Sequence, residues 1–404
     1  MNAPATTERG RFVLVLNCGS SSIKFALFDA EATPPARQPA WNGKVDGITT
    51  ANATLGASSI VPAPVELDFT HPYSSALAHI RRAVHAWLGD GRIVGVAHRV
   101  VHGGTKYFEP ALVDAAVLAD LRGYIPLAPL HQPFALGAIA ELLHARPDLP
   151  QVACFDTAFH RSMEEVERRF ALPQSAWERG IRRYGFHGLS YEYMSHALAE
   201  RYGDAARGRT IVAHLGSGAS LCAMRNLESV ATSMGFSALD GLMMGTRCGA
   251  LDPGVVLYMM ETERRSTADM ARMLYHDSGL YGVSGLSPDP RALLAVEAEN
   301  PRARLALAMY VCRIVREIGA LAAVLGGLDM LIFTAGIGEH RAELRARVGT
   351  ALKWMGVDID AAANARHDAR ISTNGSRVIV GVEKTNEEWI AAKHALRLLR
   401  TARR

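Results

Sequence analysis

Lysine is scarce. Of 44 basic residues only Lys24, Lys44, Lys106, Lys353, Lys384 and Lys393 are lysines, so one that falls inside a motif carries weight. Cysteine is scarce as well. Cys18, Cys154, Cys222, Cys248 and Cys312 stand apart with no CxxC pair, which argues against a disulfide framework or a zinc site and for reduced thiols. A net charge of +4, scattered along the chain, gives no basic face for nucleic acid. The opening segment "MNAPATTERGRF" has no apolar signal core. The longest apolar stretch, "IGALAAVLGGLDMLIFTAGIG", is interrupted by Asp329 and predicts helix, turn and buried strand, not a membrane span. The P-loop pattern GxxxxGK(S/T) is missing, and the glycine turn in "FTAGIGEH" lacks GxGxxG spacing. These absences predict a soluble, cytoplasmic protein with neither a membrane nor a nucleic acid as partner.

What is present is core-forming. The chain is 49% hydrophobic and 21% charged over 404 residues, more than one core usually supports, which predicts two domains. Short β-rich runs ("FVLVLN", "IKFALFD", "IVGVAHRVV", "QVACFD", "TIVAHLG", "MLIFTAG", "RVIVGV") alternate with stretches of helical spacing such as "PFALGAIAELLHA" and "SYEYMSHALAERYG". The pattern predicts an α/β protein with its sites at strand ends. Residues 31–44, "EATPPARQPAWNGK", read as a surface loop.

One turn repeats. In "VLNCGSSSIKFAL" two β runs flank a Gly-Ser turn, and "VAHLGSGASLCAM" does the same, with Gly19 aligned on Gly216 and Ser20 on Ser217. Such turns expose backbone N–H groups and small hydroxyls with nothing bulky in front, a geometry that holds anions, and Lys24 adds a point charge. The repeat suggests a duplicated domain. Cationic or polar groups also gather at strand ends and glycine loops: His98, Arg99 and His102 in "GVAHRVVHGG", His131 in "APLHQP", Asp156 in "ACFDTAFH", His187 in "RRYGFHGLS" and Arg247 in "GLMMGTRCG". Together they predict a pocket for several negative charges.

These motifs, in this order, resemble the acetate kinase family from about Phe12 to about Ala392. "NCGSSSIK" and "HRVVHGG" resemble its two signatures, and "FDTAFH", "YGFHG", "HLGSGAS", "GLMMGTRCG", "FTAGIGE" and "TNEEWI" follow. The resemblance implies a duplicated ribonuclease-H-like (actin-like ATPase) fold with the active site in the interdomain cleft. One domain would be 1–160 plus about 389–404, the other 161–388. It implies transfer of phosphate between ATP and acetate to give ADP and acetyl phosphate, Mg²⁺ (or Mn²⁺) as cofactor, and a homodimer. Position by position, it matches Asn17, Ser20, Ser22 and Lys24 to the phosphate and metal hairpin, with Glu387 associated with the metal. Arg99, Arg247, His131, Asp156 and His187 match the catalytic set. His214, Gly216, Ser217 and Gly218 match the second phosphate turn. Asp289, Pro290 and Arg291, with Gly336, Ile337, Gly338, Glu339 and His340, match the adenosine side. Val101, Leu130 and Phe186 match the pocket for the substrate's methyl group, and Ala238 stands there where proline is usual. Ser217 and His340 replace asparagines, Pro290 replaces an aromatic, and Leu189, Tyr191, Gln132 and Ala231 are also atypical. A propionate or other short-chain acyl kinase is the alternative, since Ala238 opens space.

The acceptor sets the chemical requirement. A small carboxylate, with a pKa of roughly 4 to 5, is already ionised at neutral pH and needs no general base. The difficulty is bringing an anion to a polyanionic phosphate, which arginines, histidines and a metal ease by offsetting charge and fixing in-line geometry. Asp156 is expected to serve Mg²⁺ or to orient an arginine.

Overall fold

The computed structural model describes residues 10–401 except 59 and 130, so Leu130 lies outside the described residues. The chain divides into two compact units, one running to Ala158 and resuming at Asn386, the other Phe159–Thr385. In the first, β1 (Arg11–Cys18) and β2 (Ser22–Asp29) form an antiparallel hairpin that β3 (Trp41–Asp46), β4 (Thr54–Ala57) and β5 (Ile60–Pro64) extend. β6 (Arg92–Val100) pairs parallel with β1. β7 (Ala111–Leu112) forms the edge beyond β8 (Gln151–Phe155), which is parallel to β6. The order is β5-β4-β3-β2-β1-β6-β8-β7.

Successive side chains along these strands point to opposite faces. Phe12, Leu16 and Val96 pack with Ala76, Ile80, Val84 and Leu88 of the Pro72–Leu88 helix. The other face is covered by the helix Glu387–Thr401, which packs on β1, β6 and β8, and Leu399 fills the space a side chain at Gly95 would need. Its buried Trp389, Ile390, Leu396 and Leu399 contribute roughly 1.5–3 kcal/mol each.

Residues 31–44 are not all loop. β3 begins at Trp41, which is buried, pairs with Leu27 and stacks on Trp87 with ring centroids 5.5 Å apart. An indole offers too much apolar surface to leave in water at the edge of a core. The preceding loop is an anchor: the carbonyls of Pro35 and Arg37 accept from Trp389 Nε1 and Asn386 Nδ2. Asn386 also caps the last helix by accepting from Trp389 N. That cap draws the boundary ahead of Asn386, so Glu387, which the sequence reading puts in the second domain, opens a helix of the first.

The second unit repeats the plan. β9 (Thr210–Leu215), β10 (Ala219–Arg225), β11 (Glu228–Thr232), β12 (Met330–Thr334) and β13 (Ile379–Val382) form a sheet of order β11-β10-β9-β12-β13. β9, β10 and β11 are antiparallel, and β12 and β13 run parallel to β9. This matches β3-β2-β1-β6-β8 in order and direction, the mark of a duplicated α/β unit. The Pro301–Leu325 helix packs on β9, β10 and β11, ends in left-handed Gly326, and is followed by fully buried β12. The apolar stretch thus reads as helix, turn and strand. Among the described residues no helix is long and apolar enough to cross a membrane.

Candidate active site

The two hairpin turns occupy equivalent places. Cys18 pairs with Ile23, leaving residues 19–22 in the first turn, and Leu215 pairs with Ala219, leaving 216–218 in the second. The first closes through Gly19 N donating to Ser22 O at 2.8 Å, the second through Gly216 N to Gly218 O at 3.0 Å. Ser20 is exposed, with its carbonyl accepting from Tyr73. Lys24 is exposed on β2 opposite Asn17, and Ser22 lies opposite Asp46.

The first unit builds a tight cluster around Arg99. β6 presents it near its carboxyl end, and Asp156 follows β8 directly, its N–H donating to Val100 O. Parallel strands bring such carboxyl ends together. Arg99 Nε donates to Asp156 Oδ1 at 3.0 Å, and Nη2 to Oδ2 at 2.6 Å. Nη1 reaches Asn17 Oδ1 at 3.3 Å and lies 3.7 Å from Glu387 Oε2. Burial opposes the guanidinium's charge, but Asp156 and Glu387 outweigh it and hold the proton more firmly than usual. Burial raises the Asp156 carboxyl above its ordinary range, with Arg99 pulling the other way. The grip takes one edge of the guanidinium and leaves one N–H each on Nη1 and Nη2, a fork matched to a second carboxylate.

The neighbouring histidines are not cations. His98 points to the opposite side of β6, buried, with Nε2 2.7 Å from Gln151 Oε1, and burial lowers its pKa to about 4. Burial lowers His102 to about 3, and its Nδ1 accepts from Gly104 N. Both leave the anion-binding set predicted from "GVAHRVVHGG", because a strand's alternation sends His98 into the core. Gln132 clamps the same loop by bonding both His102 N and His102 O. His131 precedes the Gln132–Ala145 helix, and its side chain is half-buried.

The second unit builds a cradle around its glycine turn. His187 has φ 58, left-handed backbone that turns its ring back at the start of the Gly188–Tyr202 helix. Its ring stacks on that of His214, with centroids 4.2 Å apart and planes at 16°. A Cβ at Gly218 would come within 3.2 Å of His187 Nε2 and 3.5 Å of Arg247 Nη2, and one at Gly216 within 3.9 Å of His214 Nε2. Three nitrogens of three side chains therefore converge on Gly216 and Gly218, where the turn carries no side chain. Arg247 Nη1 donates to Ala238 O at 2.8 Å, and burial lowers its pKa. Ser217 sits between the two glycines at the tip.

Behind the imidazoles stand hydroxyls that no motif singles out. Ser220 Oγ is 2.8 Å from His187 Nδ1 and 2.5 Å from Tyr191 Oη. Ser190 Oγ is 2.8 Å from His214 Nδ1 and accepts from Thr385 Oγ1. Their signal was faint: Ser220 closes "GSGAS", Ser190 follows "YGFHGL", and Thr385 opens "TNEEWI".

Of the residues expected to meet adenosine, Gly336, Ile337, Gly338, Glu339 and His340 form the short helix Ala335–His340, entered through Ala335 at φ 65. Glu339 Oε1 accepts from Ala335 N and Thr385 N, and buried Arg345 donates to the carbonyls of Gly338 and Glu339. Asp289 caps the Pro290–Val296 helix and pairs with Arg291, and the charge of Arg341 also reaches it. Gly245, two residues before Arg247, packs against Pro288 O, so "SPDPR" abuts the arginine loop. Of the residues expected to line an acyl pocket, Val101 is buried in the first unit, and Phe186 and Ala238 are buried in the second.

Duplicated sheets of this order, each with a Gly-Ser hairpin turn, and an arginine-histidine cradle define a phosphotransferase of the actin-like ATPase class. The chain belongs to the acetokinase family, whose model matches residues 12–393. It is 46% identical over 397 residues to an acetate kinase of Rhodopseudomonas palustris, covering 96% of this chain and 98% of that one. Among solved structures, a propionate kinase from Francisella tularensis superposes with TM-score 0.87 at 33% identity, covering 96% of this chain and 99% of that one. The acetate kinase of Porphyromonas gingivalis gives 0.84 at 35% identity, covering 96% and 100%.

Proposed function

We propose that the protein transfers the γ-phosphoryl group of ATP reversibly to acetate, forming acetyl phosphate and ADP. The convergence of His187, His214 and Arg247 on the Gly216–Gly218 turn carries this reading, because it makes a site for phosphate oxygens. The carboxylate attacks as the anion it already is. Arg99 receives it on the fork that Asp156 leaves open, and Asp156 holds the guanidinium in plane and acts as no base. Arg247 and the Nε2 groups of His187 and His214 offset charge on the transferring group, with His131 assisting. The Gly19–Lys24 hairpin, through Ser20, Ser22 and Lys24, steadies phosphate from its own side. The adenosine rests on Asp289, Pro290, Arg291 and the 336–340 helix. Ser217 and His340 offer a hydroxyl and an imidazole in place of amides.

Asn17 Oδ1 and Glu387 Oε2 both face Arg99 Nη1, two hard oxygens of the kind Mg²⁺ takes when substrate phosphates and waters complete its shell. Among the described residues no three His, Cys, Asp or Glu side chains gather as a metal cage. Mg²⁺ or Mn²⁺ held there would neutralise phosphate charge. The helix Pro253–Glu261 leaves Leu257 and Tyr258 more than half exposed, which supports a homodimer. Buried free thiols at Cys18, Cys154 and Cys222 support a cytoplasmic setting.

Ala238 favours a second reading, propionate as acceptor, since a methyl side chain stands in the wall of the pocket. Side-by-side kcat/KM for acetate, propionate and butyrate with Mg·ATP, trapping acyl phosphate with hydroxylamine, decides. Acetate is expected to lead. A lead for propionate changes the substrate and keeps the chemistry, and no hydroxamate from any of the three rejects the reading.

A further inference from the structure

The hydroxyls behind His187 determine which ring nitrogen carries its proton. Tyr191 is fully buried, and its phenol is bonded to Ser220 Oγ at 2.5 Å. Burial pushes the phenol's pKa well above its ordinary value, so it keeps its proton. Ser220 Oγ lies 2.8 Å from His187 Nδ1. If Nδ1 bore the ring proton it would donate to Ser220, and then the proton of either Ser220 or Tyr191 would have no acceptor. A buried O–H left unpaired is unfavourable. If Nδ1 is bare, Tyr191 donates to Ser220, Ser220 donates to Nδ1, and every proton is placed. The ring proton then sits on Nε2, the atom nearest the glycine turn.

The stacked ring repeats the arrangement. Thr385 Oγ1 donates to Ser190 Oγ, which lies 2.8 Å from His214 Nδ1. Two rings stacked at 4.2 Å are also better neutral than charged, since like charges so close repel.

We propose that Ser220, its hydroxyl aimed by Tyr191, is a positioning residue that fixes His187 as the neutral tautomer with its proton on Nε2, a hydrogen-bond donor to the phosphoryl site without being a cation. The tautomer follows from the hydroxyl chain alone, and its catalytic consequence rests on the function proposed above.

The test is nitrogen-15 NMR of histidine-labelled protein, with the His187 signals assigned by their loss in His187→Gln. The wild type should show a bare Nδ1 and a protonated Nε2. Ser220→Ala removes the O–H that donates to Nδ1 and should move proton population to Nδ1, whereas Tyr191→Phe leaves Ser220 donating and should keep the wild-type tautomer. The kcat of Ser220→Ala should fall about tenfold, less than the ~10²-fold of losing a transition-state donor outright, with both KM values within about twofold. Should Ser220→Ala fail to fold, Ser220→Cys, a far weaker donor of similar shape, reads the same signals. A wild-type proton on Nδ1 overturns the proposal, as does a Ser220→Ala protein with tautomer and kcat unchanged. If the tautomer shifts as expected but the wild type phosphorylates no short carboxylate, the relay stands and the acetate reading falls.

Discussion

Arg99 and Arg247 carry the same charge and live differently. Arg99 is held by a carboxylate on one edge and by Asn17 on another, whereas Arg247 donates to a backbone carbonyl, Ala238 O, and lies against a bare glycine. Burial opposes both charges, but Asp156 and Glu387 outweigh it at Arg99 and no carboxylate does so at Arg247, so the charge of Arg247 is the one in want of an anion. Arg247→Ala is therefore expected to lower kcat by about 10²–10³-fold, as for loss of one transition-state donor. Arg247→Lys should recover little, because an ammonium cannot both hold Ala238 O and reach the turn. Near-normal turnover of the alanine variant in a coupled ADP assay would remove Arg247 from the reaction. Of the residues a sequence reader would pick, Arg99, Asp156, His187, His214 and Arg247 do meet others of the set. His98 and His102 do not, because a motif gives spacing along the chain and not which face of the strand each residue takes.

At the scale of an element, the glycine turn 216–218 works by what it omits. Gly218 has no positive φ to protect, so alanine there carries no backbone strain, yet its methyl would press on His187 Nε2 and Arg247 Nη2. Gly218→Ala should leave the thermal midpoint within a few degrees while lowering kcat/KM for ATP at least tenfold; full activity would mean the space is not used. The hairpins were legible in sequence because a Gly-Ser turn between two alternating runs is a local signal. The strands of the two sheets that carry alternating apolar residues were legible for the same reason. Trp41 was misplaced into a loop because prolines and an asparagine surround it, and only its stacking on Trp87 declares the strand. The hydroxyl pairs were illegible. Ser220 reaches His187, and Thr385 reaches Ser190, across 33 and 195 positions, and nothing local marks such partners.

At the scale of the molecule, buried neutral histidines tie stability to pH. Burial holds His98 and His160 near 4, whereas an unfolded chain titrates them near 6.5. The stability they confer is whole above 6.5 and is lost as pH falls toward 4, since the unfolded state then binds protons the fold refuses. By pH 5 each should cost about 2 kcal/mol. Urea midpoints at pH 7.5 and 5.0 should differ accordingly, and His160→Gln should reduce the difference; equal midpoints would refute the assignment. The first sheet imposes an order of manufacture. Its hairpin is among the earliest segments synthesised, but the Glu387–Thr401 helix that covers β1, β6 and β8 is translated after all of Phe159–Thr385. On the ribosome, Val13, Val15 and Ala97 must wait uncovered while an entire second unit is made, so the later half of the chain can finish folding before the earlier half, and the nascent protein depends on whatever shields that bare face in the meantime.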